Sequence, residues 1–422
     1  MIFCYNFFTI LFYPIFILII FIRKLIGKEH KERYKEKILS NHFHLRKNKK
    51  KKLIWFHAAS VGEVQSIFPI LYELKKKNKN LEFLITTVTL SASELIKAKF
   101  GNDKKIKHQF FPFDIKILLK KFIYIWSPSL IFFVDSEIWP NFIFEIKRNN
   151  IPTIIINGRM TKKSFDRWML VYPFAKKIFS AFSLCLASSN ESKQYLKRLN
   201  AQNIKFIGNL KLASPVSSKS ISNRNEKFFK NKRVWCAAST HRGEELICLK
   251  VHSNLKTKFK DLITVIIPRH IDRSTEIKDL CDRMNLNSQI ITSKGLIKSG
   301  KEVVIVNTFG DQPKYFKYSK SVFIGKSFLR RLKKVSGQNP IEAAKLDCNI
   351  YHGPYIRNFQ EIYQILKSHN ISKEIKDEND LAEKLFFDLK KIKKKQITNK
   401  KIDTLGRRIL QKTLKEIDKF IA

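Results

Sequence analysis

Paired cysteines, acidic residues and nucleotide-loop signatures are all scarce in this sequence, and each shortage closes off a class of protein. Six cysteines, Cys4, Cys185, Cys236, Cys248, Cys281 and Cys348, are scattered over 422 residues with no CxxC pair and no histidine at ligand spacing. That excludes a disulfide scaffold and a structural zinc site, and it fits a reducing cytoplasm. No GxGxxG or Walker pattern occurs, so the usual support for dinucleotide or ATP binding is missing. No positive residue precedes the apolar N-terminal run and no small-residue cleavage site follows it, which argues against a cleaved signal peptide. There is no internal repeat at a fixed short period. Asp and Glu number 36 against 82 Lys and Arg, a formal net charge of +46. Such an imbalance suits an anionic partner: nucleic acid, anionic lipid or a phosphorylated substrate. It equally suits a compositional bias, because Lys, Ile, Asn and Phe are all abundant. The lysine runs at 49–52 and 390–395 read as solvated surface. The clustered aromatic and basic motifs of nucleic-acid readers are absent, so a nucleic-acid partner is set aside.

With 44% hydrophobic residues, a chain of this length fills two cores rather than one. Residues 1–22, MIFCYNFFTILFYPIFILIIFI, hold no charged side chain. Rising about 1.5 Å per residue as a helix, the stretch approaches the roughly 30 Å of a bilayer's hydrocarbon core. Asn6 and Pro14 are its weak points. Arg23, Lys24, Lys28, Lys31, Arg33, Lys35 and Lys37 follow, a cationic flank that holds its side of the span in the cytoplasm against anionic headgroups. The expectation is a membrane anchor over 1–22, a basic juxtamembrane segment over 23–50, and a globular part inside the cell.

From residue 51 short apolar runs alternate with amphipathic stretches: LIWFHAA, LEFLITT, PSLIFFVDSE, PTIIING, SLCLASS and NIKFIGN in the first half. Such alternation predicts βαβ units around a largely parallel sheet. Residues 213–230 break the periodicity with Ser, Asn and Lys, as a linker does. RVWCAAS, LITVIIPR, EVVIVNT, SVFIGKS and NIYHGP then build a second series. The reading is α/β: a first Rossmann-like domain over 51–212, a linker over 213–230, a second such domain over 231–378, and basic helices over 379–422. Two doubly wound domains facing one another make a cleft at the carboxyl ends of their strands, where open α/β sheets bind ligands.

Chemistry-bearing residues gather at those strand ends. In His57-Ala-Ala-Ser-Val-Gly-Glu63 the small residues let a substrate approach backbone N–H groups, and Glu63 falls in the first turn of a helix. Carboxylates are common there because the helix dipole favours them, so Glu63 is compatible with a dipole partner or with a base. In Asp135-Ser-Glu-Ile-Trp-Pro-Asn141 an apolar strand ends in two carboxylates, with Pro140 opening the next helix. Gly208-Asn-Leu-Lys211 sets a lysine after the last strand of the first half. The second half offers Ser239–Glu245, Pro268–Arg273 and Gly337–Glu342. Asn339 suits an N-cap, Pro340 the first helical position and Glu342 the third. A helix start of this kind is an anion site or simply a capped helix. Arg269 would add a charge-assisted contact, and Glu342 would accept hydrogen bonds from ribose hydroxyls.

The segments WFHAASVGEV, SEIWPN, NGRM, GNLK, AASTHRGEE, PRHIDR, NTFGD, GQNPIEAA, and HGP followed by NF at Asn358 run in order over nearly the whole chain after the anchor. In this set the chain resembles the 3-deoxy-D-manno-octulosonic acid (Kdo) transferases, glycosyltransferases of the GT-B fold with two facing Rossmann-like domains. The resemblance implies transfer of Kdo from CMP-Kdo to a lipid A precursor, with inversion, at the cytoplasmic face of the inner membrane. It implies Glu63 as the base, with Glu137 and Lys211 stabilising the transition state. It places CMP contacts at Pro268 and Arg269, at Phe309, Gly310 and Asp311, and at Asn339, Pro340, Ile341 and Glu342. No cofactor or metal is implied, since Arg269 and a helix N-terminus can meet the charge growing on departing CMP. The chain departs from the family pattern in Asp135-Ser-Glu for Glu-Thr-Glu, in Asp311 for a common Glu, in Lys326 at a usual Gly, and in a longer, more basic Phe328–Ser336. The competing enzyme is another GT-B transferase of lipid A synthesis that uses a UDP-sugar.

Overall fold

A computed structural model describes residues 1–46, 50–214, 221–390 and 399–421. Residues 215–220 of the expected linker, Lys49 of the first lysine run and residues 391–395 of the second lie outside them. The chain divides into two compact units, Met1–Ser214 with Leu405–Ala422, and Pro215–Thr404.

The first unit is built on seven parallel strands: β1 Lys52–His57, β2 Leu81–Thr87, β3 Ile106–Phe110, β4 Leu130–Val134, β5 Thr153–Gly158, β6 Leu184–Ala187 and β7 Ile204–Phe206. They lie in the order β3-β2-β1-β4-β5-β6-β7. Crossover helices cover the central strands, so these read as unbroken apolar runs rather than alternating ones. All five residues of LIFFV in β4 are buried. Trp55 packs against Phe122 and Phe142 with ring centroids 4.9 and 4.7 Å away, each such buried side chain contributing about 2–3 kcal/mol. The chain leaves β1 toward β2 on one side and comes back in β4 on the other. The switch point of the sheet therefore lies between β1 and β4, where ligand crevices form. The C-terminal helix Lys400–Asp418 also contributes to this unit, through Lys77–Asp418 and Lys205–Glu416 ion pairs of 2.7 Å.

The expectation of one spanning helix over 1–22 is corrected. Among the described residues no single helix is long and apolar enough to cross a membrane; Ile2–Leu11 and Tyr13–Leu25 meet at a 50° bend. Pro14, at the start of the second helix, has no N–H to bond back to Ile10 and crowds its carbonyl, so the helix restarts there. Three polar residues of the run, Tyr5, Thr9 and Tyr13, are tied to the rest of the first unit. Tyr5 donates to Asp114 Oδ2 at 2.8 Å, Asn141 Nδ2 to Thr9 Oγ1 at 3.4 Å, and Tyr13 to the Ile38 carbonyl. Nor is the basic segment free of partners. Lys37 is buried in an ion pair with Glu29, and Arg33 pairs with buried Glu36 at 2.5 Å.

The second unit repeats the plan: β8 Arg233–Thr240, β9 Leu262–Pro268, β10 Ser288–Ile291, β11 Val303–Val306, β12 Ser321–Ile324, β13 Asn349–His352 and β14 Ser372–Glu374. All are parallel, in the order β10-β11-β9-β8-β12-β13-β14. Here the switch point lies between β8 and β12.

Candidate active site

In the first unit β1 ends at His57, and Ser60 becomes the N-cap of the helix Val61–Lys77. The helix turns back on its own start: Glu63 accepts the Ala59 N–H at 2.8 Å and the Ser60 hydroxyl at 2.7 Å. Across the switch point, β4 ends at Val134 and Asp135 takes a left-handed turn, φ +64°. Its backbone N–H bonds the Ile156 carbonyl at 3.1 Å, which holds the strained residue in place. Lys211 Nζ lies 3.1 Å from Asp135 Oδ2. Lys211 sits on the 3₁₀ turn Leu210–Ala213, capped by Asn209 and pinned by the Leu210 N–H on Asn157 Oδ1 at 2.8 Å. Glu137 accepts the Trp139 indole N–H at 3.2 Å.

Burial pushes the Glu63 carboxyl up to about 7, the charges of Glu137 and Asp135 push the same way, and the bonds from Ser60 and Ala59 oppose them. A dipole partner alone would be stabilised as the anion by the helix N-terminus. A carboxyl held near neutrality can instead exchange a proton at working pH. The first unit thus brings Glu63, Asp135, Glu137 and Lys211 together. Asn157 and Asn209, which place the lysine, lie in the segments NGRM and GNLK, but neither stands out there by itself: Asn157 looks like part of a strand and Asn209 like loop.

In the second unit the sequence-selected residues stand at the carboxyl ends of β9 and β11 and after β12. Pro268 closes β9 and is buried; Arg269 follows with an exposed side chain, its N–H bonded to the Thr240 carbonyl at 3.0 Å. After β11, Phe309 is 71% exposed and Gly310 has φ +79°. Asp311 accepts the Thr308 hydroxyl at 2.8 Å and pairs with Lys314 at 2.7 Å. The helix expected to open at Pro340 is shorter than a binding dipole requires. It spans only Ile341–Lys345, and Asn339 Oδ1 caps the Ile341 N–H at 3.0 Å. The macrodipole of so short a helix is small, so any anion there is met by individual N–H groups and side chains. Pro340 and Ile341 are buried, Asn339 is exposed, and burial pushes the Glu342 carboxyl up.

The organising residue of this unit was not singled out from sequence. Glu244, fully buried after β8, accepts four backbone N–H groups, from His241 (2.9 Å), Lys326 (2.7 Å), Ser327 (3.0 Å) and Phe328 (3.1 Å). It clamps the loop after β12 and presents Lys326, which stands at φ +58°. That left-handed conformation is the one glycine favours. It accounts for the usual Gly at this position and for the strain of a Lys there. The His241 imidazole is pushed down to about 4, by burial first and then by the charges of Lys326, His270 and Arg269, against a bond to the Ser239 carbonyl. The cations Lys326 and Arg269 and the imidazoles of His241 and His270 therefore share one spot, suited to an anion.

Two parallel-sheet α/β units with charged groups at their strand ends are the architecture of GT-B-like enzymes, and solved structures agree. UDP-N-acetylglucosamine 2-epimerase from Rickettsia bellii matches with a TM-score of 0.53 at 12% identity, covering 90% of this chain and 97% of that one. The glycotransferase of kitacinnamycin matches with a TM-score of 0.53 at 9% identity, covering 88% and 99%. These likenesses are of fold. Sequence is more specific: residues 31–214 match the family described as 3-Deoxy-D-manno-octulosonic-acid transferase (kdotransferase). The 3-deoxy-D-manno-octulosonic acid transferase of Rickettsia bellii is 32% identical over 99% of this chain and 99% of its own. That of Haemophilus influenzae is 29% identical over 74% of this chain and 73% of its own. The chain belongs to the Kdo transferase family. It is a glycosyltransferase that transfers Kdo.

Proposed function

We propose that the enzyme moves Kdo from CMP-Kdo to a lipid A precursor with inversion at the anomeric carbon. Glu63 takes the proton of the acceptor hydroxyl as its oxygen bonds to that carbon, and the bond to CMP breaks, CMP leaving with the electron pair. The observation that carries this reading is Glu63 itself, a carboxyl at the switch point whose proton affinity is raised to about 7. Near pH 7 it is basic enough to assist a poor nucleophile and is still substantially ionised. Lys211, beside Asp135, and Glu137 stabilise the transition state. In the second unit Pro268, Arg269, Phe309–Asp311 and Asn339–Glu342 hold the CMP moiety, and Arg269 meets the charge that grows on the leaving group. The reading needs no cofactor.

The bent pair of N-terminal helices is the membrane contact in this reading, at the cytoplasmic face of the inner membrane. Phe3, Phe7, Leu11 and Leu25 are 84, 63, 55 and 68% exposed, and Ile117 and Tyr124 of the helix Lys116–Trp126 are 69 and 75% exposed. Apolar side chains exposed in this number on the two helices suit a lipid or protein contact, and Arg23, Lys24 and Lys28 at their end suit anionic headgroups. Mass spectrometry of the product from purified enzyme, CMP-Kdo and a lipid A precursor tests the function. A Kdo-bearing lipid is expected; transfer from a UDP-sugar instead would overturn the donor assignment.

A further inference from the structure

His57, the last residue of β1, is fully buried and belongs to none of the roles assigned above. Its Nδ1 lies 3.0 Å from the Thr86 hydroxyl, and the same hydroxyl oxygen accepts the Trp55 indole N–H at 2.8 Å. An indole is a donor only, and a hydroxyl owns one proton. Trp55 fills one of the two lone pairs of the hydroxyl; among the described residues the hydroxyl proton has Nδ1 as acceptor, and Nε2 faces a carboxylate oxygen, so the imidazole proton is assigned to Nε2. The ring cannot turn away. Phe111 lies against it with centroids 4.0 Å apart, and Phe133 meets it edge-on at 5.7 Å. Nε2 is buried and has no hydrogen-bond partner, an arrangement native structures seldom leave unexplained. The carboxylate atom it faces is Glu137 Oε2, 3.9 Å away. That same oxygen takes the Trp139 indole N–H.

We propose that His57 is a positioning residue for the transfer reaction: the Trp55–Thr86–His57 chain aims an N–H at Glu137 and, with Trp139, fixes its carboxylate beside Glu63. A movement of Glu137 by roughly 1 Å brings the pair to ordinary hydrogen-bond length. That movement accompanies acceptor binding, as catalytic hydrogen bonds often tighten only in the substrate complex. The Glu137 charge acts on Glu63, as does that of Asp135, which is paired with Lys211, so the position of Glu137 also sets the field at the base. The proposal rests on the assignment of Glu63 and Glu137 made above.

The test uses two replacements of His57 in the full-length enzyme. Asn places an amide where Nδ1 was and keeps the Thr86 partner, while Gln reaches the place of Nε2 and keeps the donor to Glu137. His57→Asn is expected to lower kcat about 10- to 100-fold, the cost of misplacing a catalytic group by about 1 Å, with the CMP-Kdo KM within about twofold. His57→Gln should recover most of that loss. In His57→Asn the acid limb of kcat/KM should also move to lower pH, because a loosened Glu137 repels the Glu63 anion less. Equal impairment of Asn and Gln variants with an unmoved acid limb would make His57 merely structural and overturn the proposal. So would a wild-type kcat in a folded His57→Asn enzyme. Glu137→Gln is measured alongside: full activity there would refute the role of Glu137, and with it the reading on which the proposal depends.

Discussion

Replacing Glu63 by Gln separates a base from a helix-dipole partner by two independent signs. At pH 5 the wild-type carboxyl is mostly protonated, and either side chain can serve Ala59 N–H and Ser60 with at most one weakened bond. Stabilities should therefore agree within about 1 kcal/mol. Between about pH 4.5 and 7 they part. The folded-state pKa is raised, from 4.5 to about 7, so the stability associated with the neutral carboxyl is complete below about 4.5 and is lost as pH rises through about 7. A shift of this size corresponds to roughly 3 kcal/mol. The glutamine does not ionise, so by pH 8.5 Glu63→Gln should be the more stable protein by roughly 2 kcal/mol. Thermal unfolding at the two pH values reads this as a melting-temperature gap that is small at pH 5 and favours Glu63→Gln at pH 8.5. Turnover moves oppositely. Transfer by Glu63→Gln should fall about 10²- to 10⁴-fold, and wild-type kcat/KM should drop about tenfold per pH unit below 7, with donor binding intact. A folded, donor-binding Glu63→Gln enzyme with a near-normal rate would refute the base. A melting-temperature difference that is the same at both pH values would refute the raised proton affinity.

Three further changes address the second unit. Arg269→Ala should raise the CMP-Kdo KM about ten- to a hundredfold, the value of a charge-assisted bond of about 1.5–3 kcal/mol, and leave the melting temperature unchanged because the side chain is exposed; unchanged steady-state kinetics would place the donor elsewhere. Glu244→Gln turns an NH₂ group toward two of the four clamped backbone N–H groups and should cost at least about 3 kcal/mol, read by urea denaturation, with a weakened donor KM. Gly353→Ala would bring a Cβ to 2.3 Å from the Ser327 carbonyl and 2.4 Å from Phe328 Cα; since backbone cannot step aside cheaply, it should destabilise by about 3 kcal/mol, and a neutral result would mean the loop after β12 is loosely held.

Much of the architecture is legible residue by residue. LIFFV, LITVIIP and RVWCAAST are buried on both faces of parallel sheets, and only such strands are apolar without alternation. Strand β3 escaped because its sequence, IKHQF, has no apolar run. His108 and Gln109 are accommodated by partners far along the chain: Thr87 bonds His108 at 2.9 Å, and Trp126 donates to Gln109 at 3.0 Å. The N-terminal run was long enough and apolar enough for a span. Its bend depends on Pro14, and its seat on the first unit depends on where folding places Asp114, Asn141 and Ile38.

By itself the sequence determined the fold class, the strand ends that bear charge and, through the order of its motifs, the family. Those properties are carried by local periodicity and residue identity, which need no neighbour to be read. Only the tertiary structure decided which of the charged residues lie together and which way their neighbours push the Glu63 proton. Glu63 and Asp135 are separated by most of three βα units in sequence. They become neighbours because β4 lies beside β1 in the sheet, and burial and repulsion there raise the proton affinity of Glu63. Glu244, His57 and Asn157 look in sequence like a helix-start acid and two strand residues. What folding places opposite them is four backbone N–H groups, the Glu137 carboxylate, and the turn that carries Lys211.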